Sequence, residues 1–249
     1  MKIESAIQNT YKELSSMKKI NSAADNAANL SIGETLKSIE KGFEATNNNA
    51  LSMEDLSKTA DGALSSVNDN LQRIRELSIS SQNAMLSDDD KSLIQNEIDQ
   101  LKSSISDTVE NTTYNNTKLL DGSFSDKNLS LNSNGDGTSV SIADSSLAAL
   151  GIEDFDVTGN FDIGDIDKAI SNVSESRGNI GAVQNRISHT VNVNKETQQN
   201  TLEAVSRLLD TDVAESISKL KTQQIMQQYK NFADQQKSET KANNLNLFG

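Results

Sequence analysis

The chain of 249 residues contains no cysteine, no proline and no tryptophan. Without cysteine there is no disulfide, no thiolate metal site and no cysteine nucleophile. Average usage would place about a dozen prolines in a chain of this length. Their absence removes the commonest helix breaker and points to long uninterrupted helices. Aromatic residues make up 4% of the chain, too few to supply a thick three-layer core. No apolar run approaches the ~20 residues of a membrane-spanning helix. Residues 1–19 lack the apolar core of a secretory signal, so export, if it occurs, is expected to use a route that reads no such signal. Cations are scarce as well: 23 Lys and Arg against 36 Asp and Glu leave a net charge of −13. Nucleic-acid binding needs clustered cations to neutralise phosphates, so nucleic acid is not expected as a partner.

The apolar side chains that are present recur in alternating steps of four and three. Ala60, Leu64, Val67, Leu71, Ile74 and Ser78 form the narrow seam of a coiled coil, and Ile32, Leu36, Ile39 and Phe43 extend it upstream. The spacing predicts one helix from about Leu30 to Ala84. Ser87 followed by Asp88, Asp89 and Asp90 reads as the cap and acidic first turn of another helix. That helix carries Ile94, Ile98, Leu101 and Ile105 and fades into the stretch Asn111–Thr117. Period two replaces the heptads at Leu129, Leu131, Val140 and Ile142, with Asn132–Gly137 as a hairpin turn, so residues 121–164 are the one expected β region. A long helix is predicted from Gly164 toward Leu209, through Ile166, Ile170, Val173, Ile180, Val183, Ile187 and Val191. Asp210-Thr211-Asp212 then caps a last helix bearing Val213, Ile217, Leu220, Met226 and Phe232. Distant stripes of this length must meet to be buried. The expected class is mainly α, an elongated antiparallel helical bundle or coiled coil with a small β-hairpin region.

Chemistry-bearing patterns are sparse. His189 is the single histidine and has no partner of its own kind for a ligand set or triad, so a structural role is expected. Asp88–Asp90 reads as a helix start, Glu153–Asp156 as a solvated loop, and Asn132–Asp136 lacks the glutamate that closes a calcium loop. No GxxxxGK[ST], HExxH or GxSxG occurs. No enzyme activity, cofactor or metal is expected.

Several segments carry a resemblance. Lys12–Ile32 (KELSSMKKINSAADNAANLSI), Leu71–Asn83, Ile94–Ile105, Asn111–Ser123 and Ser139–Ile152 resemble bacterial flagellins in order and at family spacing. So do Gly181–Asn192 (GAVQNRISHTVN) and Ser206–Ile225 near the other end. The resemblance covers nearly the whole chain and implies a structural subunit of the extracellular flagellar filament, serving motility. It implies inner-core terminal helices (1–29 with 210–249), an outer-core bundle (30–120 with 165–209) and a small β-hairpin region (121–164), with no variable outer domain near Asn160. Met17 stands where the family usually has Gly, and only 16 residues precede it, which implies a shortened N-terminal helix.

The resemblance also implies partners. These are other copies of the chain, a chaperone that holds the C-terminal helix before type III export, and the hook-associated and cap proteins. Val213, Ile217, Leu220, Met226 and Phe232 would serve the chaperone and inner-core polymerisation. Gln72, Arg73, Arg75, Glu76 and Leu77, with Glu97 on the following helix, match the stretch read by the flagellin-sensing Toll-like receptor; lateral protofilament packing is the expected primary role of that surface. Ser80 stands where the receptor-active pattern commonly has Gln. Two other readings fit the class: a secreted, non-polymerising paralogue acting as a receptor ligand, and a hook–filament junction protein.

Overall fold

The structure, a computed structural model, describes residues 2–132, 134, 135 and 137–247. Six helices and four short strands follow in order: α1 (Lys2–Ser16), α2 (Ala23–Ser81), α3 (Asp88–Asn111), β1 (Thr113–Tyr114), β2 (Thr117–Lys118), β3 (Lys127–Ser130), β4 (Gly137–Val140), α4 (Leu147–Leu150), α5 (Ile163–Leu209) and α6 (Val213–Leu247). The class is mainly α, a helical bundle with two small antiparallel strand pairs, as the heptads predict.

Helix boundaries follow from local capping chemistry. Ser87 and Asp90 form a reciprocal capping box at the start of α3: the Ser87 Oγ accepts from the Asp90 amide, and the Asp90 carboxylate accepts from the Ser87 amide. Asp162 Oδ1 accepts the Gly164 amide at 2.8 Å and opens α5, and Asp212 Oδ1 accepts the Glu215 amide at 3.1 Å and opens α6. Helix α2 differs from expectation at both ends. It begins at Ala23 instead of Leu30, and Asn26 interrupts it with extended backbone (φ −166, ψ 99) while its side chain caps the Asn29 amide at 3.0 Å. It stops at Ser81, short of Ala84, where backbone turns at Gln82 and Asn83 take over.

The chain divides into two units, residues 1–41 with 197–249 and residues 42–196. In the 42–196 unit the seam is real: Ala60, Leu64, Val67, Leu71, Ile74 and Ser78 are all fully buried. The five apolar ones pack with Ile98 and Ile105 of α3 and with Ile166, Val173, Ile180 and Ile187 of α5 in one apolar cluster. Each buried Leu, Ile or Val of the cluster contributes about 1.5–3 kcal/mol, against about 0–1 kcal/mol for an exposed ion pair, so the seam dominates. The loop after α4 is pinned to α3: Lys102 Nζ donates to the Glu153 carbonyl at 2.6 Å, and Gln95 Oε1 accepts the Val157 amide at 2.8 Å. Strands β3 and β4 pair from Lys127↔Val140 to Ser130↔Gly137. Arg186 Nη2 donates to Thr138 Oγ1 at 2.7 Å and Asn194 Nδ2 to the Leu131 carbonyl at 2.8 Å, which ties the hairpin to α5. Ser133 and Asp136 of the expected turn lie outside the described residues, as do Met1, Phe248 and Gly249 of the expected terminal segments.

A second hairpin was not expected. β1 and β2 pair through Tyr114↔Thr117, with Asn115 (φ 46) and Asn116 (φ 65) both left-handed. Positive φ at both central residues is the turn that matches strand twist, and asparagine tolerates it. The β structure therefore extends ahead of residue 121.

In the unit formed by residues 1–41 and 197–249, the upstream seam is shifted. Ile32 is exposed; the neighbouring Gly33 is buried and approached by the Leu209 side chain. Ile20, Val205 and Leu209 form a small cluster with Leu30, Leu36 and Leu208. Beside it the two interhelix connections clasp one another. The Lys19 amide donates to the Leu209 carbonyl at 2.7 Å, the Thr211 amide to the Met17 carbonyl at 3.2 Å, and Lys18 bridges Asp210. From that clasp α1 and α6 run antiparallel against each other.

Candidate functional site

The sequence singles out two surfaces, one in each unit. On α6 the apolar residues recur at helical spacing, yet α1 covers little of them. The α1–α6 seam is lined in part by polar groups: Thr10 is buried and donates to Gln223 Oε1 at 3.1 Å, and Gln224 Nε2 donates to the Tyr11 hydroxyl at 3.1 Å. Ser216 is also buried there, and Leu220 is half-buried. Val213, Ile217, Met226 (56%) and Phe232 (58%) are exposed instead, together with Ile225 (65%) and Tyr229 (76%). The spacing flagged four of these six. Ile225 and Tyr229, four residues apart, carry the same apolar signal and belong to the same exposed stripe.

The second surface lies on α2 and α3. Gln72, Arg73, Arg75 and Glu76 are exposed, and Leu77 beneath them is buried at 7%. Arg73 and Arg75 stand on opposite flanks of the seam. Glu97 Oε1 of α3 accepts from Arg73 Nε at 3.0 Å and from Nη2 at 2.8 Å, and Glu76 Oε2 accepts from Nη1 at 3.1 Å. Arg75 Nε donates to Asp167 Oδ1 of α5 at 2.6 Å. Hydrogen bonding to Glu97, then to Glu76, raises the Arg73 guanidinium above its ordinary value, and Asp167 does the same for Arg75. Arg73, Glu76 and Glu97 thus form one network, whereas Arg75 serves a different helix pair. Asp167 escaped sequence reasoning because a single acid on α5 has no local signal. One heptad pair before Arg75, Asp61 Oδ1 accepts from Arg177 Nε at 2.8 Å, reversing the polarity of the α2–α5 tie.

His189 is exposed on α5. Asp88–Asp90 occupy the first turn of α3, and Asp156 accepts from the amide and hydroxyl of Thr158. Among the described residues no group of three or more His, Cys, Asp or Glu could hold a metal ion, and no helix is long and apolar enough to cross a membrane.

Comparison with known proteins gives the same order of segments. Residues 1–125 match the bacterial flagellin N-terminal helical region and residues 163–248 the bacterial flagellin C-terminal helical region. The flagellin of Bacillus subtilis (strain 168) is 33% identical over 265 residues, covering 90% of this chain and 86% of that protein. The flagellar filament core protein flaB2 of Brachyspira hyodysenteriae is 33% identical over 235 residues, covering 86% and 82%. A solved structure described as a flagellar hook-associated protein from Vibrio parahaemolyticus shares the fold at a TM-score of 0.58 and 15% identity, over 75% of this chain and 100% of that one. With both terminal helical regions of one family matched in order, around the coiled-coil seam and the sparsely covered α6 described above, the chain belongs to the bacterial flagellins.

Proposed function

We infer that this chain is a structural subunit of the bacterial flagellar filament, self-assembling through its terminal helices, and not an enzyme. One observation supports the route of assembly. The apolar residues of α6 stay exposed after α1 has paired with it, and exposed apolar surface of this extent marks an interaction site. A second copy supplies the missing cover. Residues 1–29 with 210–249 then form the inner core of the filament, residues 30–120 with 165–209 its outer core, and residues 121–164 a small β-hairpin region.

The same α6 residues, Val213, Ile217, Leu220, Met226 and Phe232, hold the export chaperone before assembly, so chaperone and polymer exclude each other. Hook-associated and cap proteins meet the filament at its ends, and the assembled protein lies outside the cell. On α2 and α3, Gln72, Arg73, Arg75, Glu76 and Glu97, over the buried Leu77, form the lateral packing surface, which the flagellin-sensing Toll-like receptor reads secondarily. A basic pair beside an apolar anchor suits such an interface.

Ultracentrifugation and electron microscopy of the purified full chain test this reading. Unaltered protein pellets as fibres; the double variant Met226→Asp, Phe232→Asp stays in the supernatant with an unchanged thermal melt. Protein that remains monomeric at high concentration and low temperature would instead favour the secreted receptor ligand.

A further inference from the structure

The net charge of −13 is not shared between the two units. Residues 42–196 hold 25 Asp and Glu against 11 Lys and Arg, a net −14; residues 1–41 with 197–249 hold 11 against 12, a net +1. Together these make up the 36 acidic and 23 basic residues of the chain. The near-neutral unit carries the exposed apolar stripe of α6 (Ile225, Met226, Tyr229, Phe232), whereas the anionic unit buries its apolar seam in one cluster. Ion pairs within the anionic unit, such as Arg73–Glu97 and Arg177–Asp61, are already counted in its balance and leave the −14 standing.

We propose that the 42–196 unit is an electrostatic brake on self-association, released by counterions, and by multivalent cations most effectively. The proposal rests on the filament reading, because only a packed polymer holds these units side by side. Packed domains of this size sit on the order of a few tens of Å apart, which is within reach of their charges at low salt: the screening length is about 30 Å at ~0.01 M and about 8 Å at ~0.15 M. Copies therefore repel through one unit while the other attracts, and ionic strength sets the balance. Repulsion grows with the product of the two net charges. It does not depend on any one carboxylate, and no fixed cation site is required. A divalent cation contributes fourfold per ion to ionic strength, so Mg²⁺ relieves the brake at lower concentration than Na⁺.

The test measures the critical concentration for sedimentable filaments against NaCl, with the fibres verified by electron microscopy. Between ~0.01 and ~0.15 M NaCl it falls on the order of ten-fold. A five-site variant, Glu44→Gln, Asp69→Asn, Asp107→Asn, Asp154→Asn and Glu175→Gln, alters exposed positions and takes the unit from −14 to −9. Repulsion then drops to about 0.4 of its value, so the same salt range changes the critical concentration only about two- to three-fold. Circular-dichroism melts verify that the variant folds as the parent does. Sodium sulfate at equal ionic strength gives the same curve as NaCl. Assembly that responds to sulfate alone is salting-out of the apolar stripe and overturns the proposal. A critical concentration independent of salt, or equal in parent and variant, overturns it while leaving the filament reading intact. Absence of fibres at every salt concentration overturns both.

Discussion

Met17 follows the last residue of α1 with φ 56, in the left-handed region that a long side chain enters only at a cost. Glycine meets no such cost, so Met17→Gly stabilises the 1–41/197–249 unit by about 1 kcal/mol after allowing for the freer unfolded chain. Urea denaturation followed by circular dichroism, with amide exchange across α1, checks this. Burial separates the apolar residues just as sharply. Leu71 is fully buried, and Leu71→Ala costs about 2–5 kcal/mol. Phe232 is exposed in the free chain, and Phe232→Ala changes monomer stability by less than about 0.5 kcal/mol while abolishing sedimentable fibres. The heptads made Leu71 readable as core. They marked Phe232 as apolar without telling which neighbour covers it, because period alone cannot distinguish a partner in the same chain from one in another. Met17 could be read only as a departure from a pattern; its backbone geometry emerged with the clasp to Thr211.

The start of α3 was legible because every participant in its capping box lies within four residues. Ser87→Ala removes the hydroxyl arm of the box, leaving the amide arm to Asp90, and costs about 1 kcal/mol, measured as a drop in the melting temperature of the 42–196 core. The β1–β2 pair was illegible for the opposite reason: strands of two residues offer no alternation to count, and only the Asn115-Asn116 dipeptide hints at the turn. In β4, a Cβ on Gly137 would collide with the Leu129 carbonyl of the facing strand. Gly137→Ala therefore opens the β3–β4 hairpin, seen as fast amide exchange over Lys127–Ser130, while the helical melt is largely retained. Strand positions were inferred from the alternation of Leu129, Leu131, Val140 and Ile142 with polar residues. That glycine's necessity was not, since it arises from an approach across the hairpin. The upstream seam failed at Ile32 for a related reason: Gly33, not Ile32, is approached by Leu209, a residue far away in the chain.

Acid sensitivity belongs to the whole molecule, because several carboxylates share one direction of shift. Asp25 is held below its ordinary value chiefly by the Asn21 amide, Asp90 by the Ser87 hydroxyl, Asp121 by Ser123 and Asp156 by Thr158. A carboxylate with a lowered folded value contributes stability that is fully present above its unfolded value, about 3.9 for Asp, and is lost as pH falls through the folded value. Thermal melts should thus be flat from neutral pH to about pH 5 and then fall. Replacing Asp90 by Asn flattens its share of that fall. The same protonation also discharges the 42–196 unit, so fibre formation at low pH reflects two opposed effects. Melts of the monomer separate the folding part.

Local information was enough for the class, the helix starts at Asp88 and Val213 and, within one residue, at Ile163, the buried seam from Ala60 to Ser78 and the family, since caps, periods and motifs act within a few turns of chain. Pairing across long separations was settled only by the folded chain: Arg75 with Asp167, Lys19 with Leu209, Thr10 with Gln223. Those contacts depend on how far each helix rotates about its axis, which the packing of all its neighbours fixes together. The same packing leaves the apolar face of α6 open, so the property on which assembly rests is written in the composition of that helix but exposed by what the fold declines to cover.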